Sequence, residues 1–197
     1  MPIARSNMRK PARDAAVLDE IALLDRVASE DMAAFETLYR LYQPRLKRFI
    51  RGMARQPALV EEVLDDTMMV VWRKAHTYNH AAKVSTWIFA VAYRQTMKAL
   101  RHNDETLEFG DEHHEGNSAA GPDVELQQQQ LHRHLDDALG VLSAEQRAVI
   151  ELTYYLGYGC REIAEIMACP VDTVKTRMFY ARRKLKTLLV LTQEEAI

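Results

Sequence analysis

Apolar residues recur at helical spacing along most of the chain, and no stretch alternates convincingly with period two. Leu18, Ile21, Leu24 and Val27 define one face, and Phe35, Leu38, Tyr39, Leu41 and Tyr42 define a second ahead of Pro44. Leu46, Phe49, Ile50 and Met53 continue in the same phase. After a break at Gln56-Pro57 come Val60, Val63, Leu64, Thr67, Met68, Val71 and Trp72. A fourth helix is expected from about Val84 to Leu100, carrying Trp87, Ile88, Val91, Ala92 and Met97. Later, Leu131, Leu135, Ala138, Leu139 and Leu142 lead to Ser143, an N-cap whose capping box closes at Gln146. The next helix runs through Val149, Ile150, Leu152 and Tyr155 to Gly157 and Gly159.

The segment Cys160–Leu188 reads as two short helices and a tight turn. Ile163, Ala164, Ile166 and Met167 form the face of the first, which the Cys169-Pro170 pair stops, because the residue before proline is pushed out of helical space. Ala168 is the expected occupant of the left-handed turn position, at a cost of roughly 1 kcal/mol for a residue with a Cβ. Asp172 suits the positive end of the second helix, and Val174, Met178, Ala181 and Leu185 continue an apolar stripe. Around that stripe lie Lys175, Arg177, Arg182, Arg183, Lys184 and Lys186, with no acid from Thr173 to Gln193. This is the sequence form of a helix-turn-helix whose second helix enters the major groove.

Charge and composition divide the chain further. The 197 residues are 48% hydrophobic, enough for real cores, and the net charge of −2 conceals an uneven distribution. Residues 1–16 read as a mobile basic tail, with Arg5, Arg9, Lys10 and Arg13, and structure is expected from Val17. From His102 to His132 there are eight acids and no Lys or Arg. That polar stretch, 102–130, reads as a flexible acidic linker. The expectation is therefore an all-α chain: a helical bundle over 17–101, the linker, and a helix-turn-helix unit over 131–191.

No apolar run approaches the length of a bilayer span and no signal-peptide core opens the chain, so a cytoplasmic protein is expected. Cys160 and Cys169 sit nine residues apart on one helix, about 13 Å, too far for a disulfide. All seven histidines precede residue 135. No metal, cofactor, catalytic residue or small-molecule substrate is expected; a carboxylate metalloenzyme bundle would need Glu-x-x-His pairs on two helices.

Two stretches carry a family resemblance. VEEVLDDTMMVVWRK (60–74) followed by STWIFAVAYR (85–94) resembles region 2 of the extracytoplasmic-function (ECF) sigma factors of bacterial RNA polymerase. LSAEQRAVIELTYYLGYGCREIAEIMACPVDTVKTRMFYARRKL (142–185) resembles their region 4. The resemblance implies a transcription initiation factor, not an enzyme, that binds core RNA polymerase and directs it to promoter DNA through −10 and −35 elements. An anti-sigma protein as regulator is also implied.

By the same resemblance, Glu61, Glu62, Leu64, Asp65, Asp66 and Met68 would dock the polymerase, although residue chemistry alone favours a solvated acidic face. Asn79, His80, Lys83, Ser85, Thr86 and Trp87 would take the single-stranded −10 element, although Trp87 on its own reads more readily as a core aromatic. In the second helix of the turn motif, Lys175, Thr176, Phe179 and Tyr180 would read −35 bases, and Arg177, Arg182 and Arg183 would hold phosphates. The chain departs from the family at Asn79-His80-Ala81-Ala82, which replaces a glycine-and-acid pattern, at Asp172 in place of glycine, and at Tyr180 in place of a frequent arginine.

The two elements lie about 60 Å apart, roughly 17 base pairs at 3.4 Å. A relaxed 29-residue linker spans about 30 Å and reaches about 100 Å fully extended, so a polymerase channel would have to hold it extended. The rival reading is a stand-alone helix-turn-helix regulator with a helical sensor domain, which would need a dimer to bind a symmetric operator.

Overall fold

The computed structural model describes residues 10–54, 56–107 and 139–194, with side chains described over 19–54, 56–103 and 139–188. All regular elements among them are helical. An N-terminal group comprises α1 (Lys10–Ala28), α2 (Met32–Ala54), α3 (Pro57–Lys74), a short 3-10 turn (Ala75–Thr77) and α4 (Val84–Leu107). A C-terminal group comprises α5 (Ala144–Ile150), a π-helical turn (Glu151–Tyr155), α6 (Cys160–Met167) and α7 (Val171–Glu194). Among the described residues no helix is long and apolar enough to cross a membrane.

Local chemistry sets the helix ends. Asp31 starts α2: its Oδ1 accepts from the backbone N–H of Ala33 and Ala34 at 3.0 and 3.1 Å, and its Oδ2 pairs with Arg26 at 2.6 Å. These partners, the Ala34 N–H foremost, hold the Asp31 carboxyl below its ordinary pKa. Ser143 caps α5 as expected, with both hydrogen bonds of the capping box made to Gln146. Ala168 takes the left-handed conformation, φ 50° and ψ 49°, between α6 and α7.

Three boundaries differ from the periodicity. α1 begins at Lys10 rather than Val17; Pro11 lies in its first turn, where a missing N–H leaves no helical hydrogen bond unmade. α2 runs through Pro44, whose neighbours Tyr42 and Leu46 are wholly buried. Packing on that scale offsets the cost of an interior proline, about 3 kcal/mol. α4 extends to Leu107, into the stretch read as linker. The rest of that stretch, the N-terminal residues before Lys10 and the Leu131–Ala138 helix expectation lie outside the described residues.

In the N-terminal group, α2 buries Ala34, Leu38, Tyr42, Leu46, Phe49, Ile50 and Met53. α3 meets it with Val60, Val63, Leu64, Met68 and Val71, and α1 with Leu24 and Val27. The Tyr42 hydroxyl donates to Glu20 Oε2 at 2.9 Å, and burial pushes its pKa far up, with the Glu20 charge adding to the effect.

α4 is different, because six consecutive residues, Ile88 to Tyr93, are buried. A helix apolar on every side needs cover on every side. Here α2 and α3 cover one side and α6 the other. The two helical groups therefore share one continuous interior, which periodicity within either group does not reveal.

Candidate nucleic-acid interface

The helix-turn-helix is formed by α6 and α7. Ile163, Ala164, Ile166 and Met167 of α6 and Val174, Met178 and Ala181 of α7 are buried, α7 packing on both α5 and α6 while α6 also packs on α4. That leaves the outer face of α7 bearing Lys175, Thr176, Phe179, Tyr180, Arg182 and Arg183, all exposed. Phe179 is 62% and Tyr180 49% accessible, and their rings meet edge to face with centroids 5.5 Å apart. Large apolar rings in water need a reason; flat rings beside cations suit base edges and methyl groups.

Lys175 rests on Asp172 at 3.0 Å, an exposed pair of small worth that is easily exchanged. Arg182 donates to the Tyr154 hydroxyl at 2.8 Å and lies over its ring. Arg177 differs from its neighbours: half-buried, it turns inward, its guanidinium 3.7 Å from the Cys169 sulfur. Both cysteines are free thiols, Cys160 exposed and Cys169 half-buried.

The loop between the 3-10 turn and α4 is built around Tyr78. Its hydroxyl donates to the Ala82 carbonyl at 2.5 Å, and its ring packs against His80 at 4.8 Å and Trp87 at 5.8 Å. Asn79 Oδ1 accepts from the Ala81 N–H, an Asx turn that lets His80 adopt φ 59°. Asn79, His80 and Lys83 are exposed, Ser85 and Trp87 half-buried. Thr86 is 2% accessible, its hydroxyl without a hydrogen-bond partner, so in this arrangement it meets no external base. It lies on the inward face of the first turn of α4, one residue before the outward-leaning Trp87. His80 Nε2 stands 3.8 Å from Asp25.

On α3, the expected docking face separates into two. Glu61, Glu62, Asp65 and Asp66 are exposed. Leu64 is fully buried and Met68 is 2% accessible, so both belong to the core and neither can dock a partner. Their spacing of four places them on the same stripe as Val60 and Val71, opposite the acids. The exposed apolar residue on this helix is Met69, 45% accessible, which periodicity did not single out. Lys47 pairs with Glu61. Partial burial, then the charges of Asp65 and Glu61, raise the pKa of Tyr39 beside them.

The fold also brings together cations that the sequence reading missed. Arg94, Lys98 and Arg101, three and four apart on α4, line a cleft of about 560 Å³ together with Arg177 of α7. Tyr93 also lines it, and burial raises the Tyr93 pKa. The spacing on α4 was the available signal; only the packing of the two groups adds Arg177. Among the described residues no group of three or more His, Cys, Asp or Glu could hold a metal ion.

Residues 38–106 match the family described as Sigma-70 region 2, and residues 132–185 match Sigma-70, region 4. The chain is 32% identical over 176 residues to the ECF RNA polymerase sigma factor RpoE of Cereibacter sphaeroides, covering 85% of this chain and 93% of that protein. It is 29% identical over 187 residues to the ECF RNA polymerase sigma factor SigK of Mycobacterium tuberculosis, covering 92% and 98%. The fold resembles that of CnrH solved with the cytosolic domain of CnrY, with TM-score 0.66 and 23% identity over 87% of this chain and 97% of that one. It also resembles the sigma factor RpoE of Bartonella quintana solved with the anti-sigma factor NepR, with TM-score 0.65 and 25% identity over 79% and 96%.

Proposed function

The chain belongs to the ECF RNA polymerase sigma factors, and from that premise we propose how its surfaces divide the work of promoter selection. As a transcription initiation factor it directs RNA polymerase to promoters. The observation that carries the assignment of roles is the outer face of α7, where two exposed aromatic rings stand among cations on the second helix of a helix-turn-helix. Lys175, Thr176, Phe179 and Tyr180 read −35 bases from the major groove: lysine takes guanine N7 and O6, while threonine and the rings pack on thymine methyls. Arg182 and Arg183 hold flanking phosphates and set register without reading sequence.

At the other element, Asn79, His80 and Lys83, with Ser85 and Trp87 at the start of α4, receive the melted −10 strand. The Tyr78 scaffold fixes the loop, and Trp87 offers a ring edge on which an unstacked base can rest. Glu61, Glu62, Asp65 and Asp66 dock the core polymerase by charge, with Met69 supplying the apolar contact that Leu64 and Met68 cannot. By analogy with the relative solved with NepR, an anti-sigma protein holds this chain inactive.

Run-off transcription with core polymerase on a library of promoter fragments, with and without the chain, tests this reading. Initiation at a defined set of promoters only when both are present is expected. Tight, specific promoter binding by the chain alone would point instead to a free-standing regulator.

A further inference from the structure

One residue on the outer face of α7 runs against its charge. Asp172, in the first turn, is the only acid of α7 before Glu194. A carboxylate among cations that meet phosphate weakens sequence-independent attraction to DNA. An acid in a first turn suits the helix dipole, but here it caps no backbone group. The N–H groups of Thr173 and Val174 are taken by the Pro170 carbonyl, at 3.0 and 3.3 Å. Asp172 Oδ1 instead accepts from Lys175 Nζ at 3.0 Å, and Oδ2 has no hydrogen-bond partner among the described residues. The two side chains are 90% and 63% accessible. The pair therefore stands in water at the N-terminal tip of α7, the end that such helices bring to base edges.

The ion pair presents a donor and an acceptor 3.0 Å apart. In the major groove a G·C pair presents the complement: guanine O6 accepts and cytosine N4 donates, about 2.9 Å apart because they are hydrogen-bonded to each other. Lysine on O6 and the neighbouring N7, with the carboxylate on the N4 amino group, satisfies all three. The pairs C·G and A·T set an amino group against the lysine and a keto oxygen against the carboxylate, and both contacts turn repulsive. T·A keeps the keto and amino order but offers a methyl group where guanine has N7. Lysine alone lacks this resolution, since N7 accepts on adenine and guanine alike. The carboxylate acts chiefly by rejecting the wrong pair.

We propose that Asp172 is a specificity-determining residue that reads one G·C pair of the −35 element jointly with Lys175, the lysine on guanine and the carboxylate on the cytosine amino group. The inference rests on the promoter reading above and adds to it the group that tells G·C from A·T. Because the carboxylate repels phosphate while it sharpens base choice, its removal raises general affinity and lowers discrimination together.

Run-off transcription by core polymerase and the full chain, on a promoter library randomised at the −35 element, tests it. The unaltered chain should require G·C at one position, the one that Lys175→Ala also relaxes. In Asp172→Ala, A·T should gain on G·C there by about tenfold, other positions keeping their preferences, while binding to unselected duplex tightens. Asp172→Asn should favour A·T further, because asparagine takes adenine N6 and N7. An equal change on every promoter, the same in both variants, would assign the carboxylate to the helix dipole or to phosphate repulsion and overturn the proposal. So would a preference other than G·C at the position that Lys175→Ala relaxes. If the unaltered chain selects no −35 sequence, the promoter reading fails and this inference with it; selection that Asp172→Ala leaves intact removes this inference alone.

Discussion

The loop at 79–83 and the outer face of α7, both proposed above to meet promoter DNA, stand in opposite circumstances. On α7, the groups that would meet bases point into water, and the nearest constraint on Lys175 is a replaceable pair with Asp172. At the loop, Lys83 is already bonded to the other half of the molecule and Thr86 is buried. On the proposed reading Lys83 must give up this partner to meet DNA, whereas the side chains on the outer face of α7 are already in water. Any DNA contact proposed for Lys83 is then reduced by the cost of breaking that pair, whereas contacts proposed for the exposed side chains of α7 carry no such cost.

Substitutions can break or sharpen this contrast. The largest effect is expected from Phe89→Ala. Phe89 is fully buried, edge to face with Phe49 at 5.5 Å, beneath Arg45, and in ring contact with Tyr158 across the interface. A loss of about 3–5 kcal/mol is expected in denaturant unfolding. Because the ring touches both groups, signals from both should shift; a transition confined to the N-terminal group would show that the two are energetically separate.

Next is Lys175→Ala, which should remove about 1–3 kcal/mol of discrimination at one −35 base pair while leaving −10 preference unchanged. Competition among −35 variants in run-off transcription reads this directly, and equal loss on every promoter would reassign Lys175 to a phosphate. Arg183→Ala should do what Lys175→Ala does not: weaken all promoters alike and reduce the slope of log affinity against log salt by about 1. A base-specific effect at this position would reverse the assignment.

The smallest effect lies away from both surfaces. The Asp31 carboxyl has its pKa lowered in the fold, chiefly by the Ala34 N–H and Arg26. Its contribution is therefore present above the unfolded value and is lost as pH falls below about 4. Asp31→Asn, which still caps α2, should flatten the dependence of melting temperature on pH below about 4. An unchanged acid limb would show that other carboxylates set it.

The helices, their caps and the turn motif were legible because each is a local matter. The spacing of Ile163, Ala164, Ile166 and Met167, the proline after Cys169 and the Ser143–Gln146 box act within one or two turns of chain. Even the left-handed Ala168 could be placed, since the chain had to turn there. The exposed face of α7 was equally readable, because an exposed surface is what remains when the apolar stripe of one helix is assigned.

Leu64 and Met68 were misplaced for the complementary reason: proximity to acids along the sequence does not say which side of the helix a residue faces. Their four-residue spacing with Val60 and Val71 held the answer, and the core took them. The inward turn of Arg177 and the cation cleft with Arg94, Lys98 and Arg101 join residues far apart in the chain. Sequence by itself determined that this is a helical chain with a DNA-reading turn motif, since helix periodicity and turn stereochemistry are short-range. Only the tertiary structure decided that its two groups close on each other, because the fully apolar run from Ile88 to Tyr93 states that α4 needs cover on every side without saying what supplies it.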